Sequence, residues 1–409
     1  MTPAAAEAAP EIPPHATMLD KARAVSAKVG RLSRDFSGAH KLAQQAQVRE
    51  ALTRAELTQA LTESLAARAE LDARLRAQAV AAFHARGEGR LRRHNRPSRL
   101  LDRVLARLGP PGQALVIARS GVWRRTASPF RDLARMLRYT LRGADAQAVP
   151  LAPLDQAWYL AGNADVARAK TPPLVHYLLT GSRERRDPSP LFDSAWYARE
   201  HAGELAATGV TPLEHYVRVG AARGLSPHPL FDAGHYLAQA PVLAADDTPL
   251  AHYLREGWRS GLSPHPLFDP AWYAEQAGDT GGQAPLAHYL AQGWKAQLSP
   301  HPLFDPKWYL VERPGLAEAG VEPLTHFLAN GAAEGASPSP WFDLAAYVEA
   351  RGPDLPAGAH PLIDYLRGGA WAVAEARPGF PTAAYLATRP GLVARGVTPL
   401  EHWARRGGR

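Results

Sequence analysis

The chain has 409 residues, 46% hydrophobic and 21% charged, a balance that belongs to a folded protein with a core and excludes a disordered one. It contains no cysteine, so neither a disulfide framework nor a thiolate zinc site holds it together. The net charge of +8 is concentrated: Arg86 to Arg142 carries fifteen arginines against Glu88, Asp102 and Asp132, which leaves the rest of the chain slightly acidic.

Met1 to Ala16 places acidic residues and prolines where a secretory signal needs a basic start and an apolar run. The expectation for residues 1–16 is therefore a disordered N-terminus without a signal. No stretch of about 18 apolar residues follows, so no membrane-spanning helix is expected.

Thr17 to Arg86 lacks proline, and Val48, Leu52, Leu57, Leu61, Leu65, Leu71 and Leu75 recur at spacings near three and four. This predicts a long amphipathic helix over residues 17–86, or a helical hairpin broken near Ser37-Gly38. Four-residue steps at Leu57, Leu61 and Leu65 disturb the heptad, which favours a short coiled coil or a helical pair over a long regular one. Such a face serves either self-association into a homo-oligomer or packing on the protein's own basic segment.

Residues 87–149 form that basic segment. Leu100, Leu101, Val104, Leu105 and Leu108 share one helical face, with Arg99, Arg103 and Arg107 on the other. Phe130, Leu133, Leu137 and Leu141 recur with Arg131, Arg135, Arg138 and Arg142 between them. Basic amphipathic helices of this kind lie on anionic membrane surfaces, each arginine adding about 1 kcal/mol near acidic lipid. In that reading Leu105, Leu108, Leu133 and Leu137 enter the interface while Arg99, Arg103, Arg107, Arg131, Arg135 and Arg138 meet head groups or another anion. The alternatives are packing on a partner and plain solvated charge. Nucleic acid is disfavoured, because no helix-turn-helix, zinc-finger or RNA-binding signature accompanies the arginines.

From residue 150 to 409 a unit of 36 to 39 residues recurs, marked by Asp155, Asp193, Asp232, Asp269, Asp305 and Asp343; a seventh copy starts at Phe380 with Pro381 in place of Asp. In the second copy Asp193 is placed to N-cap a helix, with Phe192 and Tyr197 as the two halves of a hydrophobic staple. Thr211, Pro212 and Glu214 form the capping box of a second helix, and the same box returns at Thr398 and Glu401. Leu213, Tyr216 and Val217 give its buried stripe, and Gly220 reads as a left-handed stop. Helices this short need neighbours to be stable, so the predicted fold is all-α, an αα-repeat solenoid of about seven units preceded by the long helix or hairpin. Ser-Pro-His-Pro links at Ser226, Ser263 and Ser299 stiffen the joints.

The pattern Leu-Phe-Asp-x-x-Trp-Tyr followed by Pro-Leu-x-His-Tyr-Leu-x-x-Gly, weaker at Leu154 to Tyr159 and Pro173 to Tyr177, resembles the repeat that accompanies bacterial glycosyltransferases of cell-surface polysaccharide synthesis, the rhamnan-synthesis type included. The resemblance covers roughly the C-terminal 255 residues. In that family the repeats flank a catalytic domain, which this chain lacks. The resemblance implies polysaccharide, or proteins that synthesise it, as partners.

Histidine follows Pro-Leu at His176, His215, His252, His288, His326 and His402. Equivalent positions on stacked helices lie on the order of 8 to 10 Å apart, too far to share one metal ion, so a hydrogen-bonded structural histidine is expected and no metal site. Trp196, Trp272 and Trp308 are candidates for stacking on a carbohydrate, with core packing as the alternative. No Asp-x-Asp, Gly-rich phosphate turn, Gly-x-Ser-x-Gly or His-Glu-x-x-His occurs, so no catalytic residue and no cofactor is assigned. The expected function is that of a non-catalytic binding or scaffolding protein in surface-polysaccharide assembly, cytoplasmic and peripheral on the inner face of the membrane. The alternatives are a glycosyltransferase-related enzyme and a structural component of an oligomeric assembly.

Overall fold

The computed structural model describes residues 18–91, 99–123, 128–149, 153–240, 243, 247–373, 375–389 and 391–408; the N-terminus expected to be disordered, residues 1–16, lies outside them. Among the described residues the chain is all-α, with β pairing confined to isolated bridges such as His228 with Phe231 in the joints between units. It divides into two compact units, residues 1–64 and 65–409.

The regular structure of the first unit is the start of helix α1, Met18–Leu91, which runs unbroken through Ser37-Gly38. The single helix, not the hairpin, is the arrangement found. Ser37 bonds back to the Ser33 carbonyl at 2.8 Å within the helix. Val48, Leu71 and Leu75 stay exposed; the side chains of Leu52, Leu57, Leu61 and Leu65 lie outside those described. Within the second unit, Val80 of α1 packs with Leu237, Ala240 and Leu243.

The basic segment folds as three packed helices, α2 (Arg99–Ala106), α3 (Pro110–Ser120) and α4 (Pro129–Arg142). Ala114, Val116, Ile117, Val122, Trp123 and Met136 make their core. Asp102 pairs with Arg119 at 3.0 Å, and the Thr140 hydroxyl donates to the Pro110 carbonyl at 3.0 Å. Helix α4 ends Tyr139-Thr140-Leu141-Arg142-Gly143, the spacing of Tyr177 to Gly181 in the first full unit. Tyr139 also does what the corresponding repeat tyrosines do: its hydroxyl accepts from Leu174 N–H at 3.0 Å, as Tyr216 accepts from Leu250 at 3.4 Å and Tyr365 from Leu400 at 3.0 Å. Helix α4 is thus half a unit, closing the apolar face that the first full unit would otherwise leave open.

In the repeats, each Asp caps its first helix as the sequence predicts, accepting from the N–H three residues on at 2.8–3.0 Å, as Asp193 does from Trp196 and Asp305 from Trp308. The cap also ties units together, because its own N–H donates to the proline carbonyl of the next joint: Asp193 to Pro227, Asp232 to Pro264, Asp269 to Pro300. The staple forms too, with Phe192–Tyr197 and Phe231–Tyr236 ring centroids 5.4 Å apart, and Tyr216 and Tyr253 complete each aromatic cluster edge-on.

The second helix departs from expectation. Pro173–His176 and its counterparts at Pro212, Pro249, Pro285 and Pro323 are single α turns that widen into i→i+5 turns, Tyr177–Gly181, Tyr216–Gly220, Tyr253–Gly257, Tyr289–Gly293 and Phe327–Gly331. Gly220 is not a left-handed stop: its φ is −60°, and the left-handed residue stands four positions later, at Gly224 with φ 72°. Gly220 is required for room. A Cβ there would collide with the Tyr197 hydroxyl, and Gly181, Gly257, Gly293, Gly331 and Gly369 meet their own unit's tyrosine in the same way. The capping box forms at Thr211 and Glu214, at 3.3 and 2.8 Å, but not at Thr398, because Glu401 turns to Arg405 at 3.0 Å instead.

Units three apart also touch. Arg367 reaches Asp232 at 2.8 Å and Arg405 reaches Asp269, each spending on an arginine the carboxylate oxygen that the helix cap leaves over.

Tyr273 is fully buried, so Tyr273→Ala should cost roughly 3 to 5 kcal/mol in urea denaturation. Gly293→Ala should cost about 1 to 3 kcal/mol through overpacking, and adding Tyr273→Phe, which deletes the colliding oxygen, should recover part of that loss. Strict additivity of the two substitutions would show that the glycine serves some other purpose.

Candidate functional site

Burial sorts the charges of α2 to α4 by sign. Asp102 and Asp132 are 1% and 5% exposed, whereas Arg103, Arg107, Arg131, Arg135, Arg138 and Arg142 all stand in solvent. Arg99 begins α2, and its side chain lies outside the described set. With these two acids turned inward, most of the exposed charge described on these helices is cationic; Arg119 pairs with the buried Asp102, and Arg142 has Asp145 at 3.8 Å.

The apolar residues beside these arginines divide differently from the sequence expectation. Leu105 and Leu137 pack against the core, which removes them from any interface, while Leu108 and Leu133 stay exposed. Leu100, Leu101, Val104, Phe130 and Leu141 join them at the surface. On α2, Leu100 and Val104 lie four residues apart on an exposed stripe, with exposed Leu108 in the turn that follows; on α4, Phe130 is 85% exposed directly beside Arg131. Exposed arginine and exposed apolar side chains thus stand side by side on α2 and α4.

The tryptophans sit at the margin of the repeat core. Trp196 and Trp308 are half-buried, with one side packed on the core. Trp272 donates its indole N–H to Ser299 Oγ at 3.1 Å, and the Arg405 guanidinium lies 5.6 Å over its ring. Its polar edge and one face are therefore already engaged within the array.

The Pro-Leu histidines are structural partners of the tyrosines. Tyr159–His176, Tyr197–His215, Tyr236–His252, Tyr273–His288, Tyr309–His326 and Tyr385–His402 meet at 2.6–3.0 Å between hydroxyl and Nδ1, and Asp364 takes the histidine's place beside Tyr347 at 2.5 Å. Among the described residues no group of three or more histidines and carboxylates is placed to hold a metal ion.

A second histidine series escaped the sequence reading, although the prolines on both sides mark it. His228, His265 and His301 of the Ser-Pro-His-Pro joints are buried, and each Nδ1 accepts the backbone N–H two residues on, at 3.0 to 3.2 Å. That geometry requires the neutral ring, and burial holds all three below the ordinary histidine range. Burial likewise pushes His360 down to about 4. Asp187 occupies the position of the joint serine in the first unit and accepts Ser194 N–H at 2.7 Å; burial raises it to about 6.

No protein-family model, characterised protein or solved structure matches the chain.

These buried groups contribute to the acid behaviour of the fold. A histidine held below its unfolded value of about 6.5 contributes stability that is complete above that pH and is lost as pH falls toward the folded value. The thermal midpoint should therefore drop between pH 6.5 and about 4. His228→Ser with His301→Ser should flatten that drop, because Ser339 fills the same position and accepts Trp341 N–H at 3.3 Å. Asp187 works in the opposite direction, costing stability above about pH 6. Asp187→Ser should add roughly 2 kcal/mol at pH 7 and nothing near pH 3, as read by denaturation at both pH values.

Proposed function

We propose that the protein is a non-catalytic scaffold of bacterial cell-surface polysaccharide assembly, which rests α2 and α4 on the anionic inner face of the membrane and holds a glycan or a polysaccharide-synthesis protein on its repeats. The observation that carries the membrane half is the sign-sorted surface of α2 to α4, with acids buried and arginines exposed beside Leu100, Val104, Leu108, Phe130 and Leu141. Arginine supplies attraction to acidic head groups and the leucines supply partial insertion, and neither alone holds a soluble domain on a bilayer firmly. Among the described residues no helix is long and apolar enough to cross a membrane, so attachment in this reading is peripheral.

The polysaccharide half is supported by the repeat motif itself. The partly exposed faces of Trp196 and Trp308 are the surfaces through which a sugar would stack, while Trp272 contributes little because Ser299 and Arg405 engage it. Tyr, His and Gly within each unit are accounted for by packing, which leaves the outer surface of the array as the part available to a partner.

The full chain should co-sediment with vesicles containing acidic lipid and not with neutral ones, and the bound fraction should fall as salt shortens the reach of charge attraction to about 10 Å at 0.1 M. Phe130→Ser with Leu108→Ser, both at exposed positions, should weaken binding without moving the thermal midpoint. Equal pelleting on both vesicle types, or none, would rule out the bilayer as partner, and turnover of a sugar nucleotide by the purified chain would rule out a non-catalytic role.

A further inference from the structure

Along the first turns of α1, apolar residues fall at alternating steps of four and three: Met18, Ala22, Val25, Val29, Leu32, Phe36, Ala39 and Ala43. Phe36 is 77% exposed, and Val25, Val29 and Leu32 are 58–59% exposed. The described residues of that compact unit belong to α1 alone, so no other described element of it covers the stripe. In proteins most helical stability comes from packing of an apolar face rather than from propensity. Gly30 and Gly38 weaken this helix, and both stand away from the stripe with nothing within 4 Å of a Cβ.

A repeat averaging 3.5 residues is the signature of a seam for another helix, because it holds the same residues against a partner as the two supercoil. A helix lying on a bilayer needs a broad face at the period of 3.6 instead.

We propose that this seam pairs with the same seam of a second copy, antiparallel and centred between Gly30 and Arg31. In that register Val29 meets Leu32 of the second copy, Val25 meets Phe36 and Met18 meets Ala43, so the large side chains fill the middle layers and alanine faces a flexible residue at the ends. The flanking charges agree. Lys28 comes beside Asp35 of the second copy, and the twofold axis repeats the pair on the other side. A parallel in-register pair sets Phe36 against Phe36 and Lys28 against Ser33, and leaves Asp35 facing only His40, which is mostly neutral at pH 7. The pairing goes beyond the membrane reading and is independent of it, because it uses a different helix and needs no lipid.

Light scattering of the full chain at micromolar concentration, without vesicles, should give twice the chain mass; a monomer would overturn the proposal. Phe36→Asp should return the chain to monomer with the thermal midpoint of the repeats unchanged, and persistence of the dimer would place the contact elsewhere. Lys28→Asp should weaken association roughly tenfold by turning two attractions into two repulsions, and adding Asp35→Lys should restore it. The absence of native cysteine allows a direct test of direction. A mixture of Val25→Cys and Phe36→Cys chains should form a disulfide between the two, whereas Val25→Cys chains alone should not. Cross-linking of Val25→Cys with itself and not in the mixture would overturn the antiparallel register.

Discussion

The first five units each depend on one contact, in which a tyrosine hydroxyl of the first helix bonds the Nδ1 of a histidine and lies against a glycine five residues beyond that histidine, where a Cβ would collide with it. In the second unit these are Tyr197, His215 and Gly220. The contact explains features that otherwise look unrelated. The glycine gives the hydroxyl room, and the widened turn lies in the stretch between histidine and glycine. The buried hydroxyl is satisfied by the ring nitrogen, which avoids the cost of an unpaired polar group in an aromatic core. Where Asp364 replaces histidine, the hydroxyl still finds an acceptor, and there the second helix, Pro361–Arg367, remains ordinary α.

Helices of four to eight residues cannot stand alone, so the joints carry as much of the fold as the helices do. One aspartate serves both: its side chain caps its own helix while its backbone N–H binds the proline carbonyl of the next joint. In two units the same carboxylate also meets an arginine from three units further along, Arg367 on Asp232 and Arg405 on Asp269. The buried joint histidines lie next to this network, which is why protonation there disturbs joints rather than surface side chains.

Arginine plays opposite parts in the two halves of the second compact unit. In the repeats it closes internal pairs, as Arg186 does on Asp165 at 2.9 Å and Arg351 on Asp364 at 2.9 Å. In α2 to α4 Arg119 does the same on the buried Asp102, but Arg103, Arg107, Arg131, Arg135, Arg138 and Arg142 face outward. Composition alone records an excess of arginine in that segment. Burial of Asp102 and Asp132 turns the excess into a surface of one sign.

The sequence by itself determined what depends on neighbours a few residues apart: the all-α class, the Asp caps, the Phe192–Tyr197 staple, the Thr211–Glu214 box and the repeat period. Each follows from hydrogen bonds or contacts within one or two turns, and spacing reveals those directly. The tertiary structure decided whatever depends on atoms brought from elsewhere in the chain. Gly220 looked like a chain stop because glycine commonly ends helices, yet its partner is a hydroxyl 23 positions earlier, at Tyr197. Leu105 and Leu137 shared a periodicity with Leu108 and Leu133, and only the packing of α2, α3 and α4 against one another sent the first pair inward and left the second exposed. The kinship of α4 with the second half of a repeat was equally hidden, because one tyrosine and one glycine are too little pattern to see until Leu174 donates to Tyr139. Periodicity reports that a face is apolar; which neighbour covers it is settled by how the helices pack.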